Sequence, residues 1–206
     1  MRNFELEIFF SKWEFKAKYH MTASDVESMS LKDLMGIATP EEKEGFDNLW
    51  FGYTETWGDD ILRGQIATTY DTMEPKNILC FCGAEEAIYI AMRVLLEKED
   101  HAIVVVPNYQ AAETLPLEIC DVTGVRLEEI NNWRLDIDAV AKAVRPNTKL
   151  ISINFPNNPT GATMPSEDLA ALVALCRKHD IYPVSYTHLT LPTNTNACRS
   201  RWARDH

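Results

Sequence analysis

The sequence lacks the features that mark several classes of protein. Its longest uninterrupted apolar run, Leu169 to Cys176, is far shorter than the roughly 20 residues that a membrane span needs. Positive charge is scarce: 20 Lys and Arg stand against 31 Asp and Glu, and the net charge of −11 disfavours nucleic acid or anionic lipid as a partner. Only 8 Gly and 10 Pro occur in 206 residues, which excludes collagen-like and low-complexity chains. Small molecules are the ligands that this composition favours.

Cysteines are also few, and their pattern is not that of a disulfide framework. The five Cys residues are an odd number without regular spacing. Acidic side chains interrupt the first apolar residues, which breaks any signal-peptide apolar region. Cys80 and Cys82 form a C-x-C pair, but no second Cys or His pair completes a metal site, so we expect two buried strand cysteines and no metal. A reducing cytoplasm fits these features best.

From residue 77 onward, apolar runs alternate with amphipathic ones, a pattern typical of βαβ units and a mostly parallel sheet. It predicts strands at residues 78–81, 101–106, 124–128 and 149–155. It predicts a strong helix after Gly83, another after Ser166, and a weaker one over residues 135–144. The first 76 residues are helical in pattern and rich in aromatic side chains, which must be buried in a smaller domain or a subunit contact.

The strongest candidate site is the octapeptide NFPNNPTG at residues 154–161, which directly follows a predicted strand. The carboxyl end of a strand is where open α/β sheets place their ligands. Pro159 pushes the preceding residue out of the helical region, and this holds the amide of Asn158 at a fixed angle suited to one directed hydrogen bond. Asn, Pro, Thr and Gly are also turn formers, so the residues alone fit a simple turn equally well.

Two further turns lie between a predicted strand and a helix. At Gly83, Ala84 and Glu85 the free backbone N–H groups and the dipole of the helix favour an anion. The side chains of Glu85 and Glu86 oppose an anion unless they point away from it, so a plain helix start fits as well. Tyr109 follows a strand end and is placed to stack on a flat pyridine ring, although the residue alone favours a core aromatic.

Together these segments resemble the class I/II aminotransferases, the fold type I family that uses pyridoxal 5′-phosphate (PLP). The octapeptide resembles the family signature, residues 83–88 (GAEEAI) its phosphate turn, and residues 107–109 (PNY) its ring-stacking turn. An earlier block is similar as well: residues 52–58 (GYTETWG), 62–63 (LR) and 66–70 (IATTY). The resemblance covers roughly residues 24–182. It implies an α/β fold, namely a three-layer PLP fold type I large domain with a mixed, mostly parallel sheet, truncated, and with a helical N-terminal segment.

The resemblance also implies a role for each candidate residue. The expected cofactor-binding residues are Gly83, Ala84, Glu85, Tyr109, Asn158 and Tyr53. The first three bind the cofactor phosphate, Tyr109 stacks on the cofactor ring, and Asn158 donates to its phenolic oxygen, with a cis bond before Pro159. Tyr53 resembles the tyrosine that reaches the phosphate of the neighbouring subunit, which implies a homodimer when the protein is full length.

The residues after Tyr182 do not continue the earlier pattern. Residues 184–193 (VSYTHLTLPT) and 198–202 (CRSRW) resemble, in order, two pieces of a translated transposon-type sequencing adapter. We therefore expect residues 184–206 to be a non-native tail, residues 51–183 a partial PLP-binding large domain, and residues 1–50 a segment of the small domain or subunit contact. A genuine Thr/Asn-rich loop is the alternative.

The family's chemistry uses a Schiff-base lysine that lies several strands beyond the Asn-Pro-Thr-Gly string. No lysine follows Lys178 in this sequence. We therefore expect the N-terminal part of an aminotransferase acting on an amino acid and a 2-oxo acid, without a catalytic residue and inactive by itself. Two alternatives stay open: a PLP-dependent lyase or cyclase of the same fold, resembling capreomycidine synthase, and a non-catalytic PLP-fold protein.

Overall fold

The computed structural model describes residues 2–22 and 28–186. The helices within these residues are α1 (Glu5–Trp13), α2 (Leu31–Ile37), α3 (Pro40–Asp47), α4 (Asp60–Ala67), α5 (Ala84–Leu95), α6 (Gln110–Leu117), α7 (Ile137–Ala143) and α8 (Ser166–His179). The strands are β1 (His101–Val106), β2 (Asp121–Arg126), β3 (Thr148–Ile153) and β4 (Tyr182–Ser185), and short 3-10 helices lie at Pro75–Asn77 and Glu129–Asn131. The described residues form two compact units: a sheet unit (residues 2–21 and 82–186) and a helical unit (residues 22 and 28–81).

The sheet unit is built around a parallel sheet with the strand order β2-β1-β3-β4. β1 pairs with β2 along its whole length, with His101 opposite Asp121, and β3 pairs with β4 from Leu150 opposite Tyr182. Every pairing among the described strands is parallel. The carboxyl ends of the strands therefore lie at one edge of the sheet, and the predicted α/β class with a mostly parallel sheet is confirmed.

Helices cover both faces of the sheet, because alternate strand residues point to opposite sides. On one face Ala102 and Leu150 pack with the buried side chains of α5, which lie on its predicted apolar stripe. On the other face Ile103 and Ile151 pack in a second cluster that includes Val140 of α7 and the buried side chains of α8. This arrangement gives the three layers that the resemblance implied.

The segment at residues 78–81, predicted as a strand, is not a strand. Its Cys80 N–H donates to the carbonyl of Trp57 at 3.0 Å, and the described residues provide no neighbouring strand for it. The expectation of two buried strand cysteines was also wrong, because Cys80 is only partly buried and Cys82 is exposed. An apolar run alone cannot form a strand, because the backbone groups of a strand need a pairing partner.

Several predicted boundaries shift for local reasons. β2 begins at Asp121, three residues earlier than predicted, because its register follows that of β1. β3 ends at Ile153 rather than at residue 155, where the octapeptide begins to turn. α7 begins at Ile137, because the side chain of Asp136 accepts from the N–H of Ala139 and caps the helix there.

The helical unit is held by caps rather than by a core. Ser30, Thr39 and Asp59 each accept a backbone N–H at the start of a helix. Helices α2 and α3 bury no residue, and α4 buries only Ala67. The helical character of the N-terminal region is confirmed. The rings of the unit are not buried within it, since its most exposed aromatic side chains are Trp50 (82%), Phe51 (96%) and Tyr53 (106%). Their burial in a subunit contact stays a prediction.

The end of the sheet unit overlaps the segment that the sequence assigned to a non-native tail. Val184 and Ser185 lie in β4, and the N–H of Tyr186 donates to the carbonyl of Ile153 at 3.2 Å. Residues 187–206 of that tail lie outside the described residues, and the domain bounds at residues 50 and 183 stay predictions. Within the described residues, none of the helices is both long and apolar enough to cross a membrane.

Candidate ligand site

Two turns at the carboxyl edge of the sheet are tied together by one buried asparagine. Asn157, which is 3% exposed, donates from Nδ2 to the carbonyl of Pro107 at 3.0 Å. Its Oδ1 accepts from the hydroxyl of Thr160 at 2.7 Å, and its backbone carbonyl accepts from the N–H of Gly161 at 2.7 Å. Gly161 has a φ of 75°, a left-handed value that favours glycine. The Pro107 turn and the octapeptide therefore form one rigid surface.

Asn158, the predicted hydrogen-bond donor, lies next to this tie and is half-buried. The bond between Asn158 and Pro159 is cis, as the resemblance implied. Asn158 lines a cavity of about 660 Å³ together with Asn108, Tyr109 and Glu113. Sequence reasoning did not single out Asn157, because two adjacent asparagines look alike until the fold shows which one is buried.

Tyr109 is the central side chain of the site. Its hydroxyl donates to Oε1 of Glu85 at 3.0 Å. Burial, followed by this hydrogen bond and the negative charge of Glu85, raises the pKa of Tyr109, so its hydroxyl stays protonated. The ring of Phe4 meets it edge-on with centroids 5.5 Å apart, and the ring of Tyr186 lies tilted at 5.6 Å. Tyr109 therefore joins the start of α5, the N-terminal residues and the end of β4.

The backbone at the start of α5 suits an anion, but two acidic side chains, those of Glu85 and Glu86, lie in the same turn. Gly83 precedes the helix with a φ of 110°, and no side chain caps the first turn. Oε2 of Glu86 accepts from the N–H of Cys82 at 2.7 Å, while the carboxylate of Glu85 accepts from the hydroxyl of Tyr109. Both carboxylates thus have partners close to the turn. An anion there gains from the helix dipole but is repelled by these two charges.

A second, smaller cavity of about 210 Å³ adjoins the start of α5. Its lining includes Ala84, Ile88, Ser152, Ser185 and Tyr186. The hydroxyl of Ser152 donates to a backbone carbonyl of α6 at 3.3 Å, so few polar groups are left to face this space. Ala84 and Tyr186 therefore line the same space, and Tyr186 also contacts the ring of Tyr109.

Two further residues belong to the site: Asn108, which the sequence placed in the PNY turn without giving it a role, and Glu113, which the sequence did not single out. The N–H of Asn108 donates to Oε1 of Glu113 at 2.8 Å, and Oδ1 of Asn108 accepts from the N–H of Tyr109 at 2.7 Å. Burial raises the pKa of Glu113, and the bond from Asn108 together with the charge of Arg2 opposes this. These contacts fix the backbone that carries Tyr109. Glu113 has no distinctive spacing in the sequence that could have marked it.

The structure thus brings five of the six predicted cofactor-binding residues together within the sheet unit. Glu85 bonds to Tyr109, Asn158 shares a cavity with Tyr109, and Ala84 follows Gly83 at the start of α5. The sixth residue, Tyr53, belongs to the helical unit, and its side chain is fully exposed.

A cavity of similar volume lies elsewhere in the sheet unit, between the start of α8 and the residues before α7. Two of its charged groups satisfy each other, because Arg134 donates to both carboxylate oxygens of Asp168 at 2.7 and 2.8 Å. This pairing lowers the pKa of Asp168. With these two charges paired internally, this cavity is a weaker candidate for a ligand site.

The structure is an α/β protein with a candidate ligand site at the carboxyl edge of a parallel sheet. The sequence profile of the family described as "Aminotransferase class I and II" matches residues 25–185, and the chain belongs to this family. It is 31% identical over 149 residues to an aspartate aminotransferase from Pyrococcus horikoshii, covering 69% of this chain and 38% of that protein. It is 29% identical over 156 residues to the arginine–pyruvate transaminase AruH of Pseudomonas aeruginosa, covering 71% of this chain and 39% of that protein.

A solved structure agrees with these sequence relatives. The crystal structure of a PLP-dependent aminotransferase from Streptococcus suis superposes with a TM-score of 0.83 at 28% identity. The match covers 89% of this chain and 50% of that one. The chain therefore spans about two fifths of the length of the curated relatives it matches and half of this structure.

Proposed function

We propose that this chain is the N-terminal part of a PLP-dependent aminotransferase that transfers an amino group between an amino acid and a 2-oxo acid. The observation that carries the proposal is the convergence of Asn158, Tyr109 and the start of α5 at the carboxyl edge of the sheet. The names of the relatives support the same activity, since they are aminotransferases that act on aspartate or arginine.

The described residues fit pyridoxal 5′-phosphate at three points. The first turn of α5, preceded by Gly83 and without a side-chain cap, suits a phosphate. The ring of Tyr109 suits a stacked pyridine, and such a contact is worth about 1 kcal/mol. Asn158 is half-buried beside that ring and has an amide to donate. Glu86 is the unfavourable element, because its carboxylate holds the N–H of Cys82 at the same turn.

When bound, the cofactor supplies an electron sink for the bonds at the substrate's α-carbon. The residues of this chain bind and orient it. The helix start fixes the phosphate end, Asn158 donates to the ring oxygen, and Tyr109 fixes the plane of the ring. The bond from Tyr109 to Glu85 restrains the rotation of the tyrosine, so the stacking surface keeps one orientation.

We further propose that the lysine which anchors the cofactor is absent from this chain and that the chain alone is inactive. No lysine follows Lys178, and the family resemblance places the anchoring lysine several strands beyond the octapeptide. The chain therefore supplies binding and orientation, while proton transfer at the substrate requires a group that none of the proposed site residues provides.

We also propose that the full-length protein is a cytoplasmic homodimer in which Tyr53 reaches the site of the neighbouring subunit. The exposed rings of Trp50, Phe51 and Tyr53 support a subunit contact, because apolar side chains exposed to this degree favour a partner surface. The free cysteines among the described residues are compatible with a reducing compartment.

The activity is tested with two proteins, the present chain and a chain extended through the natural reading frame after Tyr182. Each is incubated with PLP, reduced with borohydride and digested for mass spectrometry, and amino transfer to 2-oxoglutarate is assayed in parallel. We expect one modified lysine and amino transfer for the extended chain, and neither for the present chain.

Amino transfer by the present chain would contradict the missing anchor. An extended chain without a modified lysine would contradict the proposed activity and favour a non-catalytic protein. Cofactor binding without amino transfer, but with loss or ring closure of the amino acid, would favour a lyase or cyclase instead.

A further inference from the structure

The N-terminal strap, which we define as residues 2–6, is held to the site by one side chain. Nε2 of Gln110 donates to the carbonyl of Asn3 at 2.7 Å, and Oε1 of Gln110 accepts from the N–H of Glu5 at 3.2 Å. Gln110 is the first residue of α6 and directly follows Tyr109. A side chain next to the stacking residue therefore holds a segment that lies more than 100 positions away in the sequence.

These two bonds fix the register of the strap. In a parallel sheet, each strand residue bonds to two groups of the neighbouring strand: the carbonyl of the residue before the one opposite it and the N–H of the residue after it. The side-chain amide of Gln110 makes the same pair of bonds, to the carbonyl of Asn3 and the N–H of Glu5, on either side of Phe4. A slip of one residue would turn Phe4 to the opposite side of the strap. In the observed register the ring of Phe4 meets the ring of Tyr109, with centroids 5.5 Å apart.

Gln110 also caps a helix to which it does not belong. Helix α1 begins at Glu5, and its N-cap residue Phe4 makes no side-chain cap. The first N–H groups of a helix have no partner within the helix. Because Oε1 of Gln110 accepts from the N–H of Glu5, it supplies the acceptor that Phe4 cannot. The bond couples the start of α1 to the Tyr109 turn.

The strap forms one wall of the cavity that holds Asn158. Arg2, Asn3 and Glu5 line the space of about 660 Å³ together with Asn158 and Pro159 of the octapeptide. We propose that Gln110 is a positioning residue that holds the strap over this cavity, and that the strap slows the release of a phosphorylated pyridine stacked on Tyr109. We call the two hydrogen bonds from Gln110 to the strap the clamp. The identity of the ligand rests on the proposed function, whereas the existence of the clamp does not.

The clamp is tested on the whole chain by amide hydrogen exchange resolved by NMR. Gln110→Met keeps the length of the side chain and removes both bonds, and Gln110→Glu keeps the acceptor for the N–H of Glu5. We expect the Glu5 amide to exchange about tenfold faster in Gln110→Met, since one hydrogen bond contributes about this factor. The increase should be smaller in Gln110→Glu, which keeps the acceptor for this amide but loses the bond to the carbonyl of Asn3. Gln65→Met, a matched change at an exposed position of α4, leaves the Glu5 amide unaffected.

The retention of the ligand is tested with pyridoxamine 5′-phosphate, which cannot form imines with surface lysines. Its release from each variant is followed by stopped-flow fluorescence. We expect Gln110→Met to release it about tenfold faster, with a smaller change in the association rate, and Gln65→Met to behave as the wild type. A strap with no effect on the ligand leaves the release rates equal.

The outcomes separate the clamp from the function. Equal Glu5 exchange in wild type and Gln110→Met overturns the clamp, and so does faster exchange that extends to the core amides of β1, because the chain has then merely loosened. If Gln110→Met speeds the exchange of the Glu5 amide but releases pyridoxamine 5′-phosphate at the wild-type rate, the proposal that the strap slows ligand release is overturned. A wild-type chain that binds no pyridoxamine 5′-phosphate counts against both retention and the proposed cofactor site, while the Glu5 amide still decides the clamp.

Discussion

The sheet unit and the helical unit use apolar residues in opposite ways. In the sheet unit Ile103, Leu150 and Ile151 are fully buried. In the helical unit Phe51 is 96% exposed, and two of its helices bury no side chain. Short helices without a packed face are marginal in water, because most helical stability in proteins comes from tertiary packing. The sheet unit therefore carries the stability of this chain, whereas the helical unit depends on caps and on surfaces outside the described chain.

The largest difference is expected from matched leucine substitutions, one in each unit. Leu150→Ala removes a fully buried side chain from β3 and should cost about 3 kcal/mol of the free energy of unfolding. Leu79→Ala, at a residue 48% exposed in the helical unit, should cost less than about 0.5 kcal/mol. Chemical denaturation followed by circular dichroism measures both. Equal losses would contradict the division into a packed unit and an unpacked one.

The second comparison concerns the ligand. Asn158→Ala should weaken the binding of pyridoxamine 5′-phosphate about tenfold, because one directed hydrogen bond is lost. Tyr53→Phe should leave the affinity of the isolated chain unchanged, because we place its hydroxyl in the site of a neighbouring subunit. Isothermal titration gives both affinities. No loss in Asn158→Ala, or a tenfold loss in Tyr53→Phe measured on a monomeric chain, would contradict our assignment of the two residues.

These comparisons also show what the sequence could and could not predict. Most of the strands and helices of the sheet unit were predictable, because an apolar period such as that around Ile88 and Met92 reports directly on burial. Helix α6 and strand β4 were not predicted. The octapeptide was predictable because turn residues after a buried strand mark the carboxyl edge. The strand predicted at residues 78–81 does not form, because strand formation depends on a pairing partner that local sequence does not encode. Gln110 was missed for the same reason, since its partners lie more than 100 positions away.

A third test uses the buried histidine of the sheet unit. His101 is fully buried, with Nδ1 2.8 Å from the hydroxyl of Thr148 and Nε2 2.9 Å from that of Thr123. Burial, followed by the charge of Arg145, lowers the pKa of His101. Below about pH 6.5, His101 is therefore protonated more readily in the unfolded chain than in the folded one, so the free energy of unfolding falls as the pH drops.

The variant His101→Gln should show a shallower loss of stability between about pH 6.5 and 5 than the wild type, measured by denaturation at each pH. His179→Gln, at the exposed end of α8, is the matched control and should keep the wild-type slope. An unchanged slope in His101→Gln would show that the buried ring is not the group responsible.

The smallest difference is expected from matched helix caps. Asp136→Ala removes the cap of α7, which packs on the sheet through Val140, and should cost about 1 kcal/mol. Thr39→Ala removes the cap of α3, which buries no side chain, so the helix frays locally and the global free energy of unfolding changes by less than about 0.5 kcal/mol. Thermal denaturation of the two variants gives the comparison. A larger loss in Thr39→Ala would mean that the helical unit contributes more stability than its burial indicates.

The central claim is that the start of α5, Tyr109 and Asn158 form one cofactor site, and NMR mapping with pyridoxamine 5′-phosphate tests it most directly. We expect saturable shifts at the backbone amides of Ala84 and Glu85 and at the side-chain amide of Asn158, all with the same dissociation constant. Shifts that are absent there, or that cluster instead around Arg134 and Asp168, would contradict the claim.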